Sequence, residues 1–567
     1  MRDNLQGLND AGWVADVPDA IVRRWARPDV ASESRFATPH SRGFGSWALG
    51  ALLGASLCLA AIGCGGATEE VTYRHVLLIS MDTTRADHLG LYGNREVKTP
   101  AIDALGAEGV VFEQCMSAAA TTLASHTSLL TGTYPLVHGV TRNGFFVNDD
   151  NVLLPETLRD AGFYCAGVLG SSALTHRSGL DQGFDHYDDT FELSAAAGGR
   201  DQDQRSAADV SELLLAHVDE ALGLQDEDEG FPERLFLFAH YFDPHAPYDP
   251  GPELAQRYGV APTVGDFDDI ESAVKAQQSR ILRGPGSEAL PTELREMPLG
   301  QQSVIQHGLN EPLVRRAAGV PTSDGRTLAK LYAGEVTKTD DAIGSLLAGL
   351  AARGLLDETL VILTADHGET FWEHGNFWNH GLWVSETDVH VPLIVRFPDG
   401  RGRGKRVKAP VSGVDVMPTL LEALGLVGAS AGVGTAPSHG RSVLGAIDGA
   451  PLPSRAIFAE ATQPGPNLES SPDGGSLPWG NARKPQAVRL GDWKLVDADY
   501  LGLQQLFHLG QDPGERRDLM AAGALSQDAQ AALSDLRLAL KRWRASADPK
   551  PSSFDRSMID TLRGMGY

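Results

Sequence analysis

The chain has 567 residues, 42% of them hydrophobic, and a formal net charge of −26 from 48 Lys and Arg against 74 Asp and Glu. This composition supports a large buried core and excludes a chain disordered throughout, and the length allows one large domain with one or two smaller units. The acidic balance, without a basic patch, excludes nucleic acid as a partner, and four cysteines (Cys58, Cys64, Cys115, Cys165) are too few and too irregularly spaced for a disulfide scaffold or a zinc cluster. Cys115 and Cys165 are expected as buried free thiols.

Residues 1–64 read as an N-terminal extension ending in an export signal. Arg42 precedes an uncharged stretch, Trp47 to Gly63, that is too short and too rich in small residues for a comfortable membrane span. Ala61-Ile62-Gly63-Cys64 resembles a bacterial lipobox. That resemblance implies lipid on Cys64, anchorage to the membrane through it, and an exported protein of the periplasm or outer membrane. The stretch before the signal is unusually long, as an upstream misassigned start codon would make it.

From Tyr73 onward short apolar runs alternate with helix-like segments, the pattern of an α/β layered sheet. Buried strands are expected at 76–80, 235–238, 360–364 and 393–397, and the first three end beside polar or charged residues. Residues 251–327 are Pro/Gly-punctuated and Gln-rich, and read as an insertion with short helices able to shape a cleft. Ile343, Leu346, Leu347 and Leu350 recur at helical spacing, with Gly354 as the stop. Stretches 425–437 and 463–485 read as surface loops, 487–489 and 493–496 as strands of a small C-terminal sheet, and 533–543 as a final helix. The domain division expected is 73–425 for a catalytic domain and 426–567 for a C-terminal subdomain and tail.

Ligand groups of open α/β sheets collect at the carboxyl ends of strands, so the residues that follow the apolar runs are the first candidates. Asp82 follows the first run, and Asp366-His367-Gly368-Glu369 follows the third. Two hard carboxylates and an imidazole suit a divalent cation. The third piece is a hydroxyl cluster entering an apolar helix, Thr121-Thr122-Leu123-Ala124-Ser125-His126-Thr127-Ser128-Leu129-Leu130-Thr131-Gly132; by itself it reads as a helix N-terminus.

That stretch resembles the signature of the sulfatase family within the alkaline phosphatase superfamily, Cys/Ser-x-Pro-x-Arg followed by Leu-Leu-Thr-Gly. Leu129-Leu130-Thr131-Gly132 sets the register, which puts Thr122 at the nucleophile position, Ala124 on the Pro and His126 on the Arg. The resemblance continues through Asp82 with Arg85-Ala86-Asp87, His138-Gly139-Val140 with Asn143-Gly144, the run His240-Tyr241-Phe242-Asp243-Pro244-His245-Ala246-Pro247-Tyr248, Gly334-Glu335-Val336, Val391-Pro392-Leu393-Ile394 and Leu506-Phe507-His508-Leu509. It spans about Tyr73 to Leu519 in the family's order. The fold it implies is an alkaline-phosphatase-like α/β/α sandwich with a small C-terminal α+β subdomain.

The resemblance also implies one divalent ion, of calcium, magnesium, manganese or zinc, held by Asp82, Asp366 and His367 with Thr122 completing the shell. His245, His126 and His380 become candidates for proton or charge transfer, and Asn143, His374 and His240 for contact with an anionic substrate. The implied function is metal-dependent hydrolysis of a sulfuric or phosphoric ester, on an envelope or extracellular glycan, through a covalent threonine adduct. Sulfatases oxidise their signature Cys or Ser to formylglycine, which threonine cannot become, and no Lys-x-His segment precedes Gly179-Leu180-Asp181. Two alternatives therefore stand beside it: a phosphoryl-group transferase or phosphodiesterase of the envelope, and a non-catalytic sulfatase-like glycan binder.

Overall fold

Apolar runs of seven or eight residues form the central strands because both faces of the sheet are covered, leaving no polar face to alternate with. The computed structural model describes residues 73–191, 204–223, 232–260, 323–371, 373, 378–426, 439–462, 484–498, 502–550 and 553–554. Its strands include β1 (His75–Met81), β2 (Val110–Met116), β3 (Phe163–Leu169), β4 (His186–Asp188), β5 (Arg234–Tyr241), β6 (Thr359–Ala365), β7 (His390–Arg396), β8 (Lys405–Val407) and β9 (Val411–Ser412). They make one nine-stranded sheet in the order β8-β2-β7-β6-β1-β5-β3-β4, with β9 also paired to β2.

The strands β6, β1, β5, β3 and β4 run parallel, and β7 runs antiparallel between β6 and β2. Because β7 runs the other way, the charged run that follows the fourth apolar run, Asp399 to Arg406, does not join those that follow the first three. The carboxyl end of β7 lies at the opposite edge from those of β1, β5 and β6.

Side chains of β1 alternate between two cores, Val76 and Leu78 in one and Leu77, Ile79 and Met81 in the other. The first core takes helix α1 (Thr122–Thr131) through Leu123, Leu129 and Leu130. The second takes α2 (Ala207–Gly223) through Val210, Leu214 and Val218, and α3 (Ser323–Ala352) through Ile343, Leu346 and Leu350. Helices on both faces of a mixed sheet give an α/β/α sandwich of the alkaline phosphatase kind. Helix α3 extends 20 residues upstream of Ile343, so the last part of the expected insertion is helix, and Pro252–Arg257 is a short helix at its start. Residues 261–322, Cys64 and the whole N-terminal extension lie outside the described residues. Cys115 and Cys165 are both free and buried.

Residues 72–567 form one compact unit, which also holds the C-terminal sheet of β10 (Ala456–Glu460), β11 (Gln486–Leu490), β12 (Trp493–Ala498) and β13 (Leu503–His508), antiparallel in that order. Helix α4 (Gln527–Ser546) packs on one face, where Trp543 stacks on Phe458 at 4.5 Å and meets Tyr134 edge-on. The other face of this sheet buries Ile457, Ala487 and Val496 against Met116, Trp383 and Val389, beside the nine-stranded sheet.

A buried ion triad ties the two sheets. Lys494 of β12, with no exposed side-chain surface, lies 2.8 Å from Glu386 Oε1 and 2.9 Å from Glu515 Oε1. Burial opposes ionisation of Glu386, but Lys494 and Arg489 prevail and hold its carboxyl down at about 2. Removing the central cation strands two buried carboxylates, a change that costs about 3–5 kcal/mol in comparable buried pairs. Lys494→Ala is therefore expected to lower the midpoint of urea unfolding well beyond the change seen for an exposed lysine such as Lys541→Ala, and equal midpoints would remove the triad from the fold's supports.

Candidate active site

Three adjacent parallel strands, β6, β1 and β5, end at the same level: Met81 pairs with Ala365 on one side and Tyr241 on the other. The residues that follow therefore project into one space. Asp82 leaves β1, Asp366 and His367 leave β6, His240 is the penultimate residue of β5, and the first turn of α1 brings Thr122 down from the facing layer.

Asp82 is fully buried, and neither of its carboxylate oxygens has a hydrogen-bond partner. Asp366 Oδ1 accepts from the backbone N–H groups of Thr83 (3.1 Å) and His367 (2.8 Å), whereas Asp366 Oδ2 has no hydrogen-bond partner. His367 donates Nδ1–H to the Gly368 carbonyl (3.0 Å), which turns Nε2 inward as a lone-pair donor. That Nε2 lies 3.4 Å from Asp366 Oδ2, 3.7 Å from Asp82 Oδ1 and 3.5 Å from Thr122 Oγ1. Burial raises the Asp82 carboxyl well above the usual range, with Asp366 and Glu369 adding repulsion, and raises Asp366 to about 6. Burial also pushes the His367 imidazole down to about 3.

Buried carboxylate oxygens without partners are costly, and among the described residues no lysine or arginine pairs with these. The donor set of two carboxylates, one imidazole with its lone pair inward and one hydroxyl fits a divalent ion.

The other sequence candidates fall around this cluster. Thr121 is the residue before α1 and has extended backbone; its hydroxyl has no hydrogen-bond partner, whereas Thr122 faces His367. His126, one turn along α1, donates Nδ1–H to the Thr122 carbonyl (2.7 Å) and accepts at Nε2 from Ser80 Oγ (2.8 Å), so both ring nitrogens are engaged within the fold. Asn143 Oδ1 accepts from the Leu123 N–H at 2.8 Å, which ties it to the first turn of α1. His240 Nε2 lies 3.5 Å from Asp82 Oδ2. His245 donates Nδ1–H to the Ala246 carbonyl (2.6 Å) and stacks on Phe242; burial drives it to about 3. The His380 ring is 4.5 Å from His367 and 5.1 Å from His245. His374 lies outside the described residues.

Four supports escape sequence reasoning. Glu369, buried at 1% exposure, sits 3.3 Å from His380 Nδ1 and accepts from the Tyr248 hydroxyl at 3.0 Å; burial lifts its carboxyl to about 7. Its presence in the run Asp366 to Glu369 was the only available signal. Gly368 passes so close to the Thr387 carbonyl that a Cβ there would collide with it. Thr83 has φ of +53°, rare for a β-branched residue, and this turn aims its N–H at Asp366. Tyr332 of α3 holds the turn, donating its hydroxyl to the Thr83 carbonyl (2.8 Å) and accepting from the Arg85 N–H (3.1 Å).

Comparison with known proteins gives the relatives of the chain as a whole. Residues 74–426 match the family model described as Sulfatase. The chain is 25% identical over 413 residues to an N-acetylglucosamine-6-O-sulfatase of Bacteroides thetaiotaomicron, covering 66% of this chain and 71% of that protein. It is also 25% identical over 413 residues to the multifunctional alkaline phosphatase superfamily protein PehA of Trinickia caryophylli, covering 63% and 74%. Among solved structures, the phosphonate monoester hydrolase of Agrobacterium radiobacter superposes with a TM-score of 0.56 at 22% identity, over 83% of this chain and 95% of that one.

Tyr332→Phe removes the hydroxyl that serves both Thr83 and Arg85, leaving a buried carbonyl and N–H unmatched at a cost of about 1–3 kcal/mol each. The expected outcome is a fold that survives while the affinity for divalent ions, measured by calorimetric titration, falls. Unchanged affinity would show that the Thr83 turn holds without Tyr332.

Proposed function

The chain belongs to the sulfatase family, whose members are ester hydrolases, and from that premise we propose that it cleaves a sulfuric or phosphoric ester through a covalent adduct on Thr122 with a divalent ion bound beside it. One observation carries this reading: Thr122 Oγ1 stands 3.5 Å from a lone-pair nitrogen of His367, beside both carboxylate oxygens of Asp82 and Oδ2 of Asp366, which find no hydrogen-bond partner among the described residues. Asp82, Asp366 and His367 would hold the ion, and Thr122 would complete the set. A divalent cation bound there lowers the pKa of the hydroxyl and draws charge from the ester.

Thr122 Oγ1 forms the bond to sulfur or phosphorus, and the bond from that atom to the alcohol oxygen of the substrate breaks. The proton lost by Thr122 ends on the departing alcohol, carried by His245 or His380. Water then attacks the adduct, releasing the inorganic anion and restoring the hydroxyl. The Asn143 amide nitrogen donates to an oxygen of the anion, and His240 lies against Asp82. His126 keeps Thr122 in place through its carbonyl.

The name of the Bacteroides relative supports an anionic sugar ester as substrate. The name of the Agrobacterium structure, a phosphonate monoester hydrolase, supports phosphorus chemistry on the same scaffold. Threonine lacks the internal exit that a formylglycine hydrate has, so its adduct must be cleared by direct attack at sulfur or phosphorus. A phosphoryl adduct carries more negative charge and gains more from a cation, so phosphoryl esters are expected to turn over faster than sulfuryl esters.

Purified chain is to be tested on aryl sulfates, phosphate monoesters, phosphodiesters and phosphonates with added Zn²⁺, Mn²⁺, Ca²⁺ or Mg²⁺. An aryl sulfate turned over at least about ten times faster than every phosphorus ester, roughly 1.4 kcal/mol of barrier, would reverse the ordering. Thr122→Ala is expected to abolish turnover while the chain still folds, with Thr121→Ala much milder. The opposite ranking would move the nucleophile by one residue.

A further inference from the structure

A second convergence of ligand-type side chains lies away from the active site. His186 and Asp188 are two residues apart on the edge strand β4 and so share one of its faces. His217 reaches the same spot from α2. His186 Nε2 and His217 Nε2 are 2.9 Å apart, His217 Nε2 is 3.3 Å from Asp188 Oδ2, and the three donor atoms all lie within 4.8 Å of one another. Strand β4 is the third out from β1, through β5 and β3. At about 4.8 Å per strand that is roughly 14 Å to the side of the catalytic cluster.

The surroundings fix which atoms face inward. Glu220, one turn further along α2, places Oε2 3.2 Å from His217 Nδ1, the carboxylate–histidine arrangement that orients an imidazole toward a metal. Asp188 Oδ1 accepts from Arg205 Nη2 (2.9 Å) and from the hydroxyl (2.8 Å) and N–H (3.1 Å) of Thr190. With that oxygen committed, Oδ2 is the one turned to the histidines.

Two imidazole nitrogens and a carboxylate oxygen thus meet at a point where a single proton must serve all three. A divalent ion offers each of them a bond instead. Metal–nitrogen bonds of about 2.0–2.1 Å in a tetrahedral shell separate neighbouring donors by roughly 3.3 Å; the donor atoms stand at 2.9 and 3.3 Å, and the two imidazole rings, 3.7 Å apart between centroids, must turn apart to aim both nitrogens at one ion. Two imidazoles with one carboxylate suit zinc and its neighbours, and do not suit calcium or magnesium, which take oxygen. Both histidines are only partly buried, which leaves an entry path and a fourth position for water. Arg205 tempers the affinity, since its charge sits on the far oxygen of Asp188.

We propose that His186, Asp188 and His217 form a second metal site, taking a zinc-class divalent cation that clips helix α2 to the edge strand β4. The site stands independently of the catalytic reading, because none of its residues takes part in that reading. Purified full-length chain is to be equilibrated with ZnCl2, freed of loose metal by gel filtration and counted by mass spectrometry of the metal. His186→Ala is expected to hold one zinc fewer per chain than wild type, and zinc is expected to raise the thermal midpoint of wild type more than that of the variant.

Combining His186→Ala with Asp82→Ala and Asp366→Ala should remove a zinc that the latter pair alone retains, whether or not the catalytic cluster holds an ion. Equal zinc counts with and without His186→Ala overturn the site, reducing it to a proton shared between two histidines. If His186→Ala does not fold, Co²⁺ added to the Asp82→Ala/Asp366→Ala chain decides, because a tetrahedral nitrogen–oxygen site gives intense visible absorption. Its absence overturns the proposal.

Discussion

Three carboxyl groups, from Asp82, Asp366 and Glu369, are buried together at the ends of β1 and β6. Asp82 finds no compensating hydrogen bond there and Asp366 leaves one oxygen bare. Their mutual repulsion, and the preference of each for water, is the constraint that the rest of the molecule is arranged to bear. The nine-stranded sheet makes the crowding unavoidable by ending β6, β1 and β5 at one level. The histidines that line the same space are all driven toward their neutral forms by burial, so none offsets that charge by itself.

The remaining architecture holds the crowded turn in place. Tyr332 reaches from α3 to the Thr83 turn, and Gly368 lets the loop after β6 press against the backbone of Thr387. The short helix Glu386–Val389 that follows is bound to the C-terminal sheet by Lys494. Ser117, at the end of β2, donates to the Asp366 carbonyl. The C-terminal sheet is thus continuous with the scaffold of the site: its inner face buries the edge of the catalytic layer, and its outer face takes α4.

The central parallel strands were legible in the sequence because each is a short, unbroken apolar run ending in charge, which neither an amphipathic helix nor a half-exposed strand produces. Legibility fell where local and tertiary signals diverge. Strands β2 and β3 went unrecognised because Glu113 and Gln114 interrupt one, while the other carries Tyr164, Cys165 and Gly167 in place of a branched apolar run. Helix α3 reads as short because the Gly, Thr, Lys and Asp of its upstream half obscure the helical spacing of Leu328, Leu331, Tyr332 and Val336, which are buried in the same core as Ile343. In the site, Asp82, Thr122, Asp366 and His367 were legible through strand ends and the motif register. Tyr332 was not, since a tyrosine in a helix gives no sign of serving backbone groups 249 residues away. His126 was legible as a site residue but not in its role. Only the contacts with Ser80 and the Thr122 carbonyl show that both its nitrogens face into the fold.

Thr83 bears on ion selectivity. A branched residue in a left-handed conformation does not stay there by its own preference, so the neighbours of the turn fix its shape whether or not an ion is present. A cation arriving at Asp82 and Asp366 therefore meets ligands already spaced and does not gather them from a relaxed loop. Such a mould discriminates by size: an ion that fits binds without rearranging the chain, and one of another radius must strain a turn that is already strained. For an ion held as proposed, discrimination by size would reside in the backbone geometry around Thr83 as much as in the chemistry of Asp82, Asp366 and His367.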